Sequence, residues 1–169
     1  MAIYGCYTGK DMETYFCDLQ LGNPRSVNLP IYSVAIGDPR RQTGTWQDLH
    51  PSTFWGSLTI IMRGQVEFGV TAGKVRSVIG KAGDMFVFVD TKGPGHSTHN
   101  PTGGEWFETV NCRFSDSIED LWGYLQTAFT GWPENVYPPT TYAYGGPAEG
   151  RHAGGLDPKF DMKRFEQGK

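Results

Sequence analysis

The chain lacks any long hydrophobic run. None of its apolar stretches approaches the roughly 20 residues that cross a bilayer as a helix, so no membrane-spanning helix is expected. The opening MAIYGCYTGKD has neither a basic n-region nor an apolar h-region, and no secretory signal is expected from it. Basic runs are missing too. The net charge is -3 and the cations are scattered, which leaves no electrostatic footprint for a nucleic-acid partner. Cysteine is scarce: Cys6, Cys17 and Cys112 are odd in number, far apart and in no CxxC arrangement. That favours reduced, buried thiols in a cytoplasmic protein over a disulfide or zinc framework. Internal repeats and low-complexity tracts are also absent.

What is abundant is glycine, 23 residues, together with a 14% aromatic share in a chain of 169 residues. The length suits one domain with a sizeable core, and aromatics interleaved with glycines favour strands joined by tight turns. TYFCDLQL and LPIYSVAI read as strands interrupted by NPR and GDPRRQTG. A denser block follows: SLTIIM (57–62), VEFGVT, VRSVI (75–79), MFVFVD (85–90) and EWFETVNCRF (105–114), with RGQ, AGK, GKAGD and NPTGG turning between them. Short strands at regular spacing predict an all-β antiparallel sandwich or barrel.

The period then changes. Ile118, Leu121, Trp122, Leu125 and Phe129 recur at helical spacing, predicting one helix over 116–131. Ser115 or Ser117 can cap its start, acidic Asp116, Glu119 and Asp120 suit its positive end, and Gly131 and Pro133 stop it. The organisation expected is one domain over 1–132 and a Pro/Gly/Tyr-rich arm over 133–169. Tyr137, Tyr142 and Tyr144 favour an arm laid on the domain or on a neighbouring subunit.

Two stretches carry chemistry. GTWQDLHPSTFWGSLTIIMRG keeps Gly44, His50 and Gly64 in the frame G-x5-H-x-H-x3-4-E-x6-G, and GPGHSTHN reproduces the G-x2-H-x3-N end of a second frame through Gly93, His96 and Asn100. Over residues 44–114 the chain therefore resembles the cupin superfamily, small jelly-roll barrels whose interior commonly holds iron, manganese, nickel or zinc. The resemblance implies a jelly-roll barrel with His50 and His96 at ligand positions. Ser52 stands where the family has its second histidine and Ser57 where it has its glutamate. The second frame has Thr91 nearest its missing proline. A serine hydroxyl stays protonated at neutral pH and is a poor ligand for such metals.

Strand alternation separates the two histidines of GPGHSTHNP. If His96 points inward, so do Thr98 and Asn100, while Ser97 and His99 point out. On EWFETVNCRF the more apolar face, Trp106, Glu108, Val110, Cys112 and Phe114, is the one to bury. Glu108 would then meet His96, or, in the opposite phase, Phe107 is buried and Glu108 lies in water. Ser52, Trp55, Ser57, Thr59, Phe86, Phe88, Thr98 and Trp106 are candidate substrate-lining residues, the small polar ones leaving room between apolar walls.

The function expected is an enzyme acting by acid–base chemistry on a small, largely apolar organic molecule, such as an aromatic or polyketide-like one, as a lyase, isomerase or cyclase. His96, with His50 or Glu108, would be its catalytic set and no cofactor would be needed. The alternatives are a metal-dependent cupin, such as a non-haem iron dioxygenase holding Fe(II) or another divalent metal through His50, His96 and a carboxylate, and a non-catalytic small-ligand binder. Open sheet edges and a long arm make a homodimer the expected assembly.

Overall fold

The computed structural model describes residues 1–22, 29, 31–36, 47–52, 56–101, 107–114 and 120–139. The expectations for Trp55 and Trp106, the serine caps at 115 and 117, and the arm from residue 140 onward fall outside the described residues. Eleven strands and one helix are present among the described residues: β1 (Ile3–Thr8), β2 (Thr14–Leu21), β3 (Ile31–Ile36), β4 (Gln47–His50), β5 (Ser57–Arg63), β6 (Gln65–Gly69), β7 (Ser77–Lys81), β8 (Met85–Val89), β9 (His96–His99), β10 (Glu108–Phe114), α1 (Leu121–Ala128) and β11 (Phe129–Thr130). No helix among the described residues is long and apolar enough to cross a membrane.

The strands form two sheets, of order β11-β2-β1-β8-β5-β10-β3 and β4-β9-β6-β7, and the described strands do not close into a barrel. Pairing is antiparallel except between β1 and β8, which run parallel. β5 and β6 are consecutive but lie in different sheets, with Gly64 at φ 73° between them, a left-handed conformation that glycine adopts without steric cost.

Alternation along each strand sorts the side chains into two cores. Cys6, Ile61, Phe86 and Phe88 of the larger sheet meet Val66, Phe68 and Val78 of the smaller one. On the opposite face of the larger sheet, Leu58, Val87, Val89 and Phe114 pack with Leu121, Leu125 and Ala128 of α1. The molecule is thus layered as helix, large sheet, small sheet. Each fully buried aliphatic or aromatic side chain contributes about 1.5–3 kcal/mol. Phe86 sits at the centre of the inter-sheet core, 5.0 Å from the Tyr4 ring and 4.6 Å from Phe68. Gly80 lies over it, and a methyl group there would collide with Ile61 and Phe86.

The helix is shorter than its periodicity suggests. Asp120 caps its start by accepting from the Gly123 N–H, and Phe129 takes an extended conformation. Phe129 and Thr130 then pair with Leu21 and Gln20 of β2. Phe129 is buried either way, so an apolar residue at the right helical phase serves the strand equally well. Beyond it, Val136 bridges Gly9 and the Tyr137 N–H donates to the Thr8 carbonyl, so the chain here lies against the end of β1.

Candidate functional site

The inter-sheet core changes character at one end. β8 presents Phe86 and Phe88 inward, and the next inward position is Asp90, wholly buried. β9 presents His96, 7% exposed, from the opposite sheet. The His96 ring stacks on Phe88 with centroids 4.2 Å apart and meets Phe68 edge-on at 6.0 Å. Its Nδ1 lies 2.8 Å from Asp90 Oδ2. The other carboxylate oxygen, Oδ1, accepts from the Ser52 hydroxyl at 2.6 Å, and the Ser52 N–H donates to the Asp90 carbonyl at 2.9 Å.

A carboxylate taken out of water is tolerable only when donors replace that water. Here Ser52 supplies one, and His96 supplies a second when its Nδ1 carries the proton. The Cys6 thiol, buried on β1, is the third group: burial pushes its pKa well up, and the Asp90 charge and a hydrogen bond to Asp90 add to that. Cys6 therefore stays a thiol and a donor. Cys6, Asp90 and His96 each present a potential ligand atom, all within 4.8 Å of one another.

His50 ends β4 and is the register partner of His96. The two rings are 4.6 Å apart and tilted by 48°. What lets β4 come so close is Gly95, at φ 77°, where a Cβ would overlap the His50 carbonyl and the Pro51 nitrogen. Gly95→Ala is expected to destabilise the fold by at least about 1–3 kcal/mol and to push His50 away from His96. An unchanged thermal midpoint would remove the close approach from this description.

The remaining sequence candidates divide. Ser57 lies opposite Phe88, and Thr98 opposite Phe68, both half-buried on inward positions. Thr59 is buried but engaged, its hydroxyl donating to Asn111 Oδ1 at 2.6 Å, while the Asn111 amide donates to Thr109. Glu108 is half-buried at the start of β10, in register with Arg63. Of the two phases open to β10, the structure has Phe107 in the inter-sheet core, while the Val110–Cys112–Phe114 face packs toward α1. The carboxylate beside His96 is Asp90. Sequence reasoning missed Asp90 and Cys6. The available signal was the alternation Phe86, Phe88, Asp90 in MFVFVD.

His99 and Ser97 lie on the other face of β9. His99 is the register partner of Glu67, its Nδ1 3.6 Å from Glu67 Oε2, and Ser77 bonds the same carboxylate. Ser97 and Glu67 border an open depression of about 610 Å³ with Leu49, Val70, Arg76 and Ser77, on the side of the small sheet away from His96.

No protein-family model matches the chain, and no curated protein matches it. Among solved structures, a crystal structure of Drosophila melanogaster CENP-C bound to CAL1 aligns with 57% of this chain and 68% of that one, at 14% identity and a TM-score of 0.31. A likeness that weak bears on neither fold nor function.

Proposed function

We propose that this chain is a cupin-type enzyme acting on a small, largely apolar organic molecule by acid–base chemistry, as a lyase, isomerase or cyclase. The observation that carries the reading is the buried Asp90–His96 contact at 2.8 Å, with the His50 ring beside it. A carboxylate on Nδ1 favours the tautomer with the proton on that nitrogen. Nε2 is then the nitrogen that can take a proton from a bound molecule and return it. Asp90 positions the imidazole and offsets the charge it gains, while Ser52 and Cys6 hold Asp90. His50 is placed to act as the second proton carrier. Two packed sheets, with consecutive strands β5 and β6 divided between them, support a jelly-roll of the cupin kind, as do the frames around His50 and His96. Inward Ser57 and Thr98 supply small polar contacts among aromatic walls.

A second reading is favoured by the Cys6–Asp90–His96 grouping. The donor set that the cupin frame implies is incomplete, since Ser52 offers only a hydroxyl and that hydroxyl is bonded to Asp90. A thiol, a carboxylate and an imidazole, with His50 adjacent, form a different set whose chemistry suits zinc or iron. A divalent ion held there would supply Lewis acidity and lower the pKa of a bound water.

One experiment separates the readings: turnover of a panel of small carbonyl and hydroxyl compounds by protein stripped with chelator, before and after adding zinc or iron(II). Acid–base chemistry without a metal predicts that activity survives stripping. Activity that vanishes and returns with stoichiometric metal favours the second reading. Tight binding without turnover in either state would replace both with a ligand-binding role.

A further inference from the structure

One short loop spans the Asp90–His96 contact. Asp90 follows β8, His96 opens β9, and residues 91–95, TKGPG, lie between them. The path of that loop therefore sets how the carboxylate meets the imidazole. Its two glycines, at φ 71° and 77°, take left-handed conformations. Two of its backbone groups are bonded to threonines from elsewhere in the chain. The Thr8 hydroxyl donates to the Lys92 carbonyl at 2.8 Å, and the Thr14 hydroxyl accepts from the Gly95 N–H at 3.1 Å.

Thr8 ends β1 and Thr14 begins β2, and the two are register partners at the last rung before the hairpin turn. Alternation puts Thr8 on the side of Cys6, facing the inter-sheet core. Both threonines are buried, at 1% and 0% exposure. The turn between them also presses on the loop, since a Cβ at Gly93 would overlap the Met12 carbonyl. Valine would suit a buried strand as well as threonine does, and a buried hydroxyl costs free energy unless it is hydrogen-bonded. Here the two hydroxyls go to the loop backbone, one near each end. Gly95 directly precedes His96, so the Thr14 bond sets where β9 begins. We infer that Thr14 and Thr8 are positioning residues for His96. The end of the β1–β2 hairpin holds the loop at the Lys92 carbonyl and the Gly95 N–H, and so sets the 2.8 Å contact between Asp90 Oδ2 and His96 Nδ1. This rests on the acid–base reading of His96 above, in which that contact selects the tautomer.

The nitrogen-15 shifts of the His96 ring, at a pH where it is neutral, test this, with far-UV circular dichroism checking the fold. The native protein is expected to carry the proton on Nδ1, with two well-separated shifts. Thr14→Val keeps the shape and removes the acceptor, and Thr8→Val removes the donor to Lys92. In each the two shifts are expected to converge as the tautomers mix. Thr14→Ser keeps the hydroxyl and should keep the native spectrum. So should Thr109→Val, which deletes another buried hydroxyl, one that accepts from Asn111 on β10. The Gly95 amide of the native protein should exchange with deuterium at least about 100-fold more slowly than in an unstructured peptide. A native tautomer in the folded Thr14→Val and Thr8→Val proteins overturns the inference and leaves the acid–base reading standing. A proton on Nε2 in the native protein overturns both. A tautomer that Thr109→Val also shifts overturns the inference, and so does a rapidly exchanging Gly95 amide, even if neither Thr8→Val nor Thr14→Val folds.

Discussion

His96→Gln is expected to lower kcat by about 10²–10⁴-fold, the range that a positioned general acid or base supplies, while the protein stays folded. Glutamine suits this test because it is close to histidine in size and keeps a neutral hydrogen-bonding group beside the buried carboxylate. The amide cannot take up a proton near neutral pH. The substitution therefore removes proton transfer and leaves most of the packing against Phe88 and Phe68. The loss should fall on kcat rather than on KM, since the imidazole acts on the transition state more than on binding. His50→Gln should fall short of it if His50 serves only as the partner. Normal turnover by His96→Gln would end the acid–base account.

Asp90→Ala is expected to destabilise the fold by about 3–5 kcal/mol, the usual cost of removing one member of a buried polar or ionic pair. The side chain is wholly buried, accepts from Ser52 Oγ and lies 2.8 Å from His96 Nδ1, with the Cys6 thiol against it. Alanine leaves these groups facing a void with no acceptor, so the desolvation cost of each returns. For a chain of this length the midpoint of thermal unfolding should fall by roughly 6–20 °C. Asp90→Asn keeps the volume and an acceptor oxygen and should cost clearly less. Equal costs for the two would mean that the carboxylate charge, which both substitutions remove, and not the volume of the side chain, is what Asp90 contributes.

The parts of this architecture legible in the sequence are those where one face of a strand differs from the other. β2 coincides with TYFCDLQL, and β5 and β8 match SLTIIM and MFVFVD to within one residue, because their apolar runs end at turn residues. β1 was not distinguished, since Gly5 interrupts IYGCYT; its Cβ would strike Trp132, Cys17 and Leu19, a reason found only in the packing. Alternation leaves two phases open for Glu108, and both faces of β10 prove to meet a core, Phe107 on one side and Phe114 on the other. A sheet covered on both sides has two cores, however, and alternation cannot say which of them holds the histidines. Asp90 was missed for a related reason. A carboxylate closing the strand MFVFVD carries no signal of its own, and only the arrival of Cys6, Ser52 and His96 from three other segments makes it the centre of a cluster. His96 was legible because its spacing from Gly93 and Asn100 belongs to one continuous stretch.

The most direct test of the central claim is the tautomer of the His96 imidazole, read from its nitrogen-15 chemical shifts at a pH where the ring is neutral. The account predicts a proton on Nδ1, held toward Asp90, and an unprotonated Nε2 in the native protein. It also predicts that Asp90→Asn, whose side chain can offer an N–H to Nδ1, shifts the proton to Nε2. A proton on Nε2 in the native protein, unmoved by Asp90→Asn, would contradict it.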